Sequence, residues 1–222
     1  FFDILFSSLA LIALLPLLAP IVIILRCSGE GEVFFLQDRI GKDGKKFKLF
    51  KFATMLKNSP NIGTHTVTMK SDPRVLPVGK VLRRTKINEL PQLFNILIGN
   101  MSIIGPRPLT AQTFSSYRAK TQIFIRRVRP GLSGIGSIIF RDEEEIMHGA
   151  AASMDFYDNV IAPYKGELEE WFVKRKGIYI YFLAIFTTIW VIFFSSSPIA
   201  WKVFKGLPEP PKILKLPLNY RP

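Results

Sequence analysis

The sequence predicts an α+β domain, mostly helical, held against a membrane, and three observations carry that expectation. Ile4 to Leu25 is a run of 22 residues without a charge, and about 20 apolar residues suffice for a membrane helix. Two aromatic-rich runs flank a turn at Gly41-Lys42-Asp43-Gly44, the pattern of a small β-hairpin. Downstream, Leu90, Leu93, Phe94 and Leu97 recur at helical spacing, so the remainder reads as packed helices.

Composition narrows the partners. Thirty Lys and Arg against 17 Asp and Glu give a net charge of +13, while mean hydropathy is +0.23. Such an excess suits an anionic partner. Long uncharged runs favour membrane lipids over nucleic acid, for which a free binding domain has no need of them. The single Cys27 excludes an internal disulfide framework and a Cys-based zinc site, in keeping with a reducing, cytoplasm-facing domain.

Residues 1–26 read as a membrane helix. No basic n-region or small-residue cleavage site marks a signal peptide. Pro16 and Pro20 each remove a helical hydrogen bond, so a sharp bend and a re-entrant path are expected. Residues 27–176 form the expected central domain. It opens with strands near Val33–Gln37 and Lys46–Phe52, the second with a basic face beside the membrane. A loop from Asn58 to Pro73 contains His65, read with His148 as solvated rather than metal-binding.

The stretch from Thr85 to Pro108 is the centre of the chain. Asn88 is placed as an N-cap and Pro91 in the first turn, with Gly99 as the stop. Glu89 then sits near a helix N-terminus, where the dipole favours an anion or a metal-bridged phosphate. Gly105-Pro106-Arg107-Pro108 brackets a guanidinium between two residues of fixed φ. Further on, the glycines of Pro130–Gly136 offer backbone N–H groups that could cradle a phosphate. Without a strand–helix context they do not indicate a dinucleotide fold. Asp142–Glu145 reads as a solvated helix start. Residues 177–201 are uncharged, with eight aromatics, and predict an interfacial or membrane helix. Residues 202–222 predict an extended, proline-rich tail.

Lys86-Ile87-Asn88-Glu89-Leu90-Pro91-Gln92, Gly99-Asn100-Met101-Ser102 and Gly105-Pro106-Arg107-Pro108 together resemble the bacterial sugar transferase family, the monotopic phosphoglycosyl transferases. Phe35, Gln37, Arg39, Gly41, Lys51, Phe52, Thr54 and Met55 match its hairpin pattern, and Asp72-Pro73-Arg74-Val75 and Arg83 match the segment before the central block. Arg129 and Arg141 fall on the family's R-P-G block and its final arginine. The resemblance implies transfer of a phosphosugar from a UDP-sugar to a polyprenyl phosphate, with release of UMP and with Mg2+ as cofactor. The implied place is the cytoplasmic face of the bacterial inner membrane, in surface glycan biosynthesis. It leaves a homo-oligomer open.

The candidate catalytic residues are Asn88 and Glu89, with Glu89 also the metal ligand. Lys51, Arg83, Gln92, Arg107, Arg129 and Arg141 are the candidate substrate-binding residues, the arginines as phosphate holders. One letter departs from the family: Asn88 stands where the resemblance implies a nucleophilic Asp, and a neutral amide oxygen is a poor nucleophile. Impaired or rerouted catalysis is therefore expected. The alternative is a non-catalytic, membrane-bound scaffold that recruits an anionic partner through its basic surface.

Overall fold

A computed structural model describes residues 1–59, 72–147, 153–195 and 197–220; His65, His148 and most of the loop after Asn58 lie outside them. Helix α1 (Phe2–Arg26) is followed by a hairpin of β1 (Phe34–Ile40) and β2 (Lys46–Phe52), then α2 (Pro77–Arg84) and α3 (Gln92–Leu97). The short strand β3 (Ser102–Ile104) pairs in parallel with β4 (Gly131–Ser133), across α4 (Ala111–Ser115) and α5 (Ala119–Arg126). The chain continues through α6 (Ile135–Ile139), α7 (Glu143–Ile146), α8 (Met154–Phe156) and α9 (Ala162–Arg175) to α10 (Ile178–Phe193), α11 (Ile199–Val203) and α12 (Lys212–Lys215).

Helix α1 is continuous through Pro16 and Pro20, so the expected break is absent from the backbone. Both prolines lie on its exposed face. The inner face packs along its whole length. Ile21 and Leu25 meet Phe52 and Leu82, while Ala10, Leu11 and Leu14 rest on Leu49, Leu93, Ile96 and Met101. At the start of the helix, Phe2 meets Phe182 edge-on, and one Asp3 carboxylate oxygen accepts from the Tyr181 hydroxyl (2.8 Å), the Ser102 hydroxyl (3.0 Å) and the Ile103 N–H (3.0 Å). Both ends of the apolar helix are thus fastened to the same body. Its outer face leaves Ile4, Leu9, Ile12, Leu15 and Ile23 exposed.

The hairpin forms where predicted, though β1 begins one residue later and extends to Ile40, in register Phe34↔Phe52 to Ile40↔Lys46. Asp43 (φ 58°) and Gly44 (φ 75°) turn the corner. The free edge of β2 is closed by Asn95, which is fully buried. Its Oδ1 accepts from the Phe50 N–H (2.9 Å) and its Nδ2 donates to Lys48 O (2.8 Å), so a side chain takes the place of a third strand.

The central block departs from the expected helix in two ways. Lys86 adopts a left-handed conformation (φ 59°) and starts a separate 3-10 turn over Ile87–Glu89, and α3 begins only at Gln92. Successive N–H groups find carbonyls three residues back (Glu89 to Lys86, Leu90 to Ile87, Leu93 to Leu90), which leaves Asn88 nothing to cap. Its Oδ1 is buried and has no hydrogen-bond partner among the described residues. The buried face of α3 is Leu93 and Ile96 rather than Leu90, Leu93, Phe94 and Leu97. Phe94 is 47% exposed, beside the outer face of α1. Gly99 (φ 82°) stops the helix as predicted.

The C-terminal half packs around Ile104, Phe114, Tyr164, Leu168, Trp171 and Phe204. Helix α10 ends at Phe193, about 24 Å in length at the helical rise. Ala184, Thr187 and Val191 face the core, while Phe186, Ile189, Trp190 and Phe193 stay exposed. The tail is not extended. Leu214 and Leu218 are buried, the Tyr164 hydroxyl donates to Pro208 O (2.9 Å), and α12 forms a further turn. Apolar residues between the prolines give the tail enough surface to bury against the core.

Glycines of the Pro130–Gly134 block serve close packing rather than a phosphate. A Cβ on Gly131 would lie 2.1 Å from Gly105 N, and one on Gly134 would lie 2.1 Å from Gly105 O. The Gly131 N–H is already donated to Pro106 O (2.8 Å). Gly131→Ala should therefore cost about 3 kcal/mol in chemical denaturation, because backbone cannot retreat from backbone. Gly177→Ala, with nothing within 4 Å, should stay within about 1 kcal/mol of the parent. Equal midpoints for the two variants would show that this contact is not tight.

Candidate active site

A cavity of about 500 Å³ opens between the hairpin, the turn before α3, the Arg107 loop and the α7–α9 segment. One wall is cationic: Arg39 from β1, Lys51 from β2, Arg83 from α2, Lys86 from the turn and Arg107 from its loop. Asn88 and Glu89 project into the same space. Phe34, Leu36, Phe52, Met55 and Leu56 give the hairpin side an apolar lining, and Thr113, Glu143, Met147, Tyr157 and Lys165 line the wall furthest along the chain.

The Arg107 loop is held from both sides. Pro106 O accepts from the Gly131 N–H, and Pro108 O accepts from Arg39 Nη1 (2.9 Å). Arg39 donates also to Gln37 Oε1. The Arg39 Nε is buried and unpartnered among the described residues. Held in this way, Arg107 places Nη2 3.4 Å from Glu89 Oε1.

Charges in this pocket are strongly coupled. Burial pushes the Glu89 carboxyl up, but Arg107, Lys51 and Lys86 outweigh it and bring it down to about 2, so it is ionised at any working pH. Glu89 itself lies in the 3-10 turn directly ahead of α3. Burial pulls Lys51 down to about 7; Glu89 pulls it up, while Arg39, Arg107 and Arg83 push it further down. Arg39 is lowered to about 10 by burial and by Arg107. Behind the loop, burial raises the carboxyl of Glu169 to about 7, against the pull of Lys165 and the Arg107 backbone N–H.

Of the residues expected from sequence, Lys51, Arg83, Asn88, Glu89 and Arg107 meet in the cavity. Gln92 is buried behind them, in a narrow cleft bordered by Arg39, Lys51 and Arg107. Arg129 and Arg141 do not line the cavity. Arg129 is exposed near Gly99, and Arg141 is half-buried after α6. Asp142–Glu145 was expected to be solvated, but Glu143 turns inward and accepts from Lys165 Nζ (2.9 Å), whose burial demands a partner.

Sequence reasoning passed over Arg39, Lys86, Tyr157 and Lys165. Arg39 carried a signal, as part of the matched hairpin pattern; Tyr157 and Lys165 sat in an unremarkable polar helical stretch. Among the described residues no group of three His, Cys, Asp or Glu forms a self-sufficient metal cage. Glu89 with the unpartnered Asn88 oxygen fits a divalent ion that takes its other ligands from a bound phosphate.

The family model for bacterial sugar transferases matches residues 1–195. A UDP-N-acetylgalactosamine-undecaprenyl-phosphate N-acetylgalactosaminephosphotransferase of Aeromonas hydrophila is 35% identical over 189 residues, which is 84% of this chain and 41% of that protein. A UDP-glucose:undecaprenyl-phosphate glucose-1-phosphate transferase of Escherichia coli is 36% identical over 187 residues, 83% of this chain and 38% of that protein. The exopolysaccharide production protein ExoY of Sinorhizobium fredii is 38% identical over 156 residues, 64% of this chain and 69% of that protein. The chain thus spans about two fifths of the first two relatives' length.

Lys51 offers a direct check of the pocket's electrostatics. After reductive methylation with a 13C label, its resonance, assigned by its loss in Lys51→Arg, should titrate near pH 7, well below an ordinary lysine. Glu89→Gln removes the charge that holds the ammonium form, so the midpoint should fall further. A midpoint near that of free lysine would mean that the pocket is wet and the coupling weak.

Proposed function

Because the chain belongs to the bacterial sugar transferase family, we propose that its cavity binds a UDP-sugar and a polyprenyl phosphate for transfer of the phosphosugar. The bond from the donor's sugar-bearing phosphorus to the bridging oxygen would break, a new bond would form from that phosphorus to an oxygen of the lipid phosphate, and UMP would leave with the bridging oxygen. The single observation that carries this reading is the pocket itself. Seven cations and three carboxylates line it; Lys57 pairs with Glu32 and Lys165 with Glu143, which leaves five cations about Glu89, and the lining is apolar on the side where Phe52 meets α1. That arrangement suits two phosphates, one of them on a lipid.

Arg107 and Lys51 would hold the donor phosphates, with Arg39 and Arg83 beside them. Glu89 and the Asn88 oxygen would hold Mg2+ together with phosphate oxygens, and the ion when bound would neutralise charge on the departing UMP. An amide at position 88 closes the covalent route that an aspartate would open. Donor binding is then retained while transfer is slow, or proceeds by attack of the lipid phosphate itself. The exposed apolar faces of α1, α3 and α10 would lie in the membrane, and a water-soluble sugar nucleotide places the cavity on the cytoplasmic side.

The experiment is an assay of UMP release with a panel of UDP-sugars and a short polyprenyl phosphate, joined to intact-mass measurement. The parent should show no phosphosugar adduct. Asn88→Asp should gain one and raise turnover by about two orders of magnitude or more, since a covalent route is restored. If Asn88→Asp gains neither adduct nor rate, the scaffold reading, which Asn88 itself favours, takes precedence.

Membrane attachment has its own test. Both ends of α1 touch one body, so a cysteine tag before Phe1 and the exposed native Cys27 should react with an impermeant thiol reagent from the same side of sealed vesicles. Reaction from opposite sides would mean that α1 crosses the membrane.

A further inference from the structure

The wall of the cavity formed by Glu143, Tyr157 and Lys165 has no part in the phosphate chemistry above, yet it is built with care. Lys165 is 3% exposed, and its Nζ lies 2.9 Å from both carboxylate oxygens of Glu143 and 5.3 Å from the Phe140 ring centroid. Tyr157 is 7% exposed and lines the cavity. A phenol so placed can offer its O–H to a ligand in the cavity. Burial raises its pKa, so it remains a donor. The chain widens here into a π-helical turn, Tyr157–Ile161, a rare form frequent at functional sites.

Charge separates this wall from the phosphate wall. Arg39, Lys51, Arg83, Lys86 and Arg107 face a single carboxylate, whereas Glu143 and Lys165 cancel. A neutral pair with a phenol hydroxyl attracts no further anion; it offers donors and acceptors to a neutral group rich in hydroxyls. Position decides which such group. Glu143 and Tyr157 line the same cavity as Arg107, the residue that pairs with Glu89. In a UDP-sugar the ring is bonded to the phosphate that would rest there, while the nucleoside is a further phosphate away. We propose that Tyr157, with the Glu143–Lys165 pair, forms the subsite that reads the hydroxyls of the donor's sugar ring. This rests on the reading of the cavity as a UDP-sugar site.

Calorimetric titration of the full chain in detergent with UDP, UDP-glucose and UDP-N-acetylgalactosamine tests it. The parent should bind at least one UDP-sugar more tightly than UDP. Tyr157→Phe and Glu143→Gln should each weaken that UDP-sugar about tenfold and leave UDP within about twofold, since only the sugar contacts are lost. Tyr157→Phe removes one oxygen atom, so it keeps the test alive should Glu143→Gln, which strands a buried lysine, fail to fold. Equal weakening of UDP and UDP-sugar would overturn the proposal by making the wall a nucleoside or structural element. Unchanged affinity for the UDP-sugar in Tyr157→Phe would overturn it too. A parent that binds UDP but gains nothing from the sugar refutes the subsite alone; a parent that binds neither refutes the reading of the cavity, and the subsite with it.

Discussion

Two stretches of backbone touch directly where Gly105 crosses Gly131 and Gly134, and the geometry of the site depends on that contact. It leaves no room for a side chain at Gly131 or Gly134. In exchange the Gly105–Pro108 loop is locked: Gly105 N–H to Ser133 O at 2.9 Å, Gly131 N–H to Pro106 O at 2.8 Å, and Arg39 to Pro108 O beyond. Arg107 sits between two residues of fixed φ, in a loop that is itself fixed. Little conformational freedom remains to be lost when the guanidinium meets a phosphate, which is the physical content of a preorganised site. The same contact explains why the glycine block after Arg129, a candidate phosphate cradle by composition, cannot be one. Its Gly131 N–H is already donated to Pro106 O inside the fold, and Gly134 is packed against Gly105.

How far the sequence disclosed this depended on the range of the interactions. The hairpin was legible because turn chemistry and alternation are local, and Gly99 was legible because a left-handed stop needs one particular residue. The meeting of Glu89 and Arg107 was legible from motif and bracket. Asn88 was misjudged as a cap because composition favours it there, while Lys86 in a left-handed conformation redirected the chain one residue-pair earlier. Asn95, which closes the β2 edge, reads in sequence as an ordinary polar helix residue; only a strand brought to it from far earlier in the chain gives it meaning. Glu143 and Lys165 are likewise defined by each other, across 22 residues. The tail misled because prolines speak against helix locally, whereas burial of Leu214 and Leu218 is a property of the whole core.

The membrane helix shows the same division. Length and apolarity marked α1, but its placement comes from polar and aromatic contacts at its beginning and apolar ones at its end. Asp3 would be costly in a hydrocarbon environment, yet its carboxylate oxygen receives three donors, from Ser102, Ile103 and Tyr181. The helix is therefore fastened by a polar clasp where it starts and by Ile21 and Leu25 where it ends. Its free face is apolar and exposed, as are Phe94 and Ile98 after the central turn and the outer residues of α10. The cavity's apolar lining at Phe52 adjoins the C-terminal half of that helix.

The pocket is out of balance on its own. Glu89 is fully compensated, and is held near 2 for that reason, but the cations around it are not: Lys51 falls to about 7 and Arg39 to about 10 because burial and neighbouring positive charge oppose their protonation. On the proposed reading, a diphosphate bound here would stabilise the charged forms of Lys51 and Arg39 and would supply acceptors to donors such as the unpartnered Arg39 Nε. Part of its binding free energy would then be the relief of repulsion already present in the fold. A fold stabilised elsewhere in order to hold like charges together is one that gains further stability from its ligand, by the ordinary linkage between binding and folding.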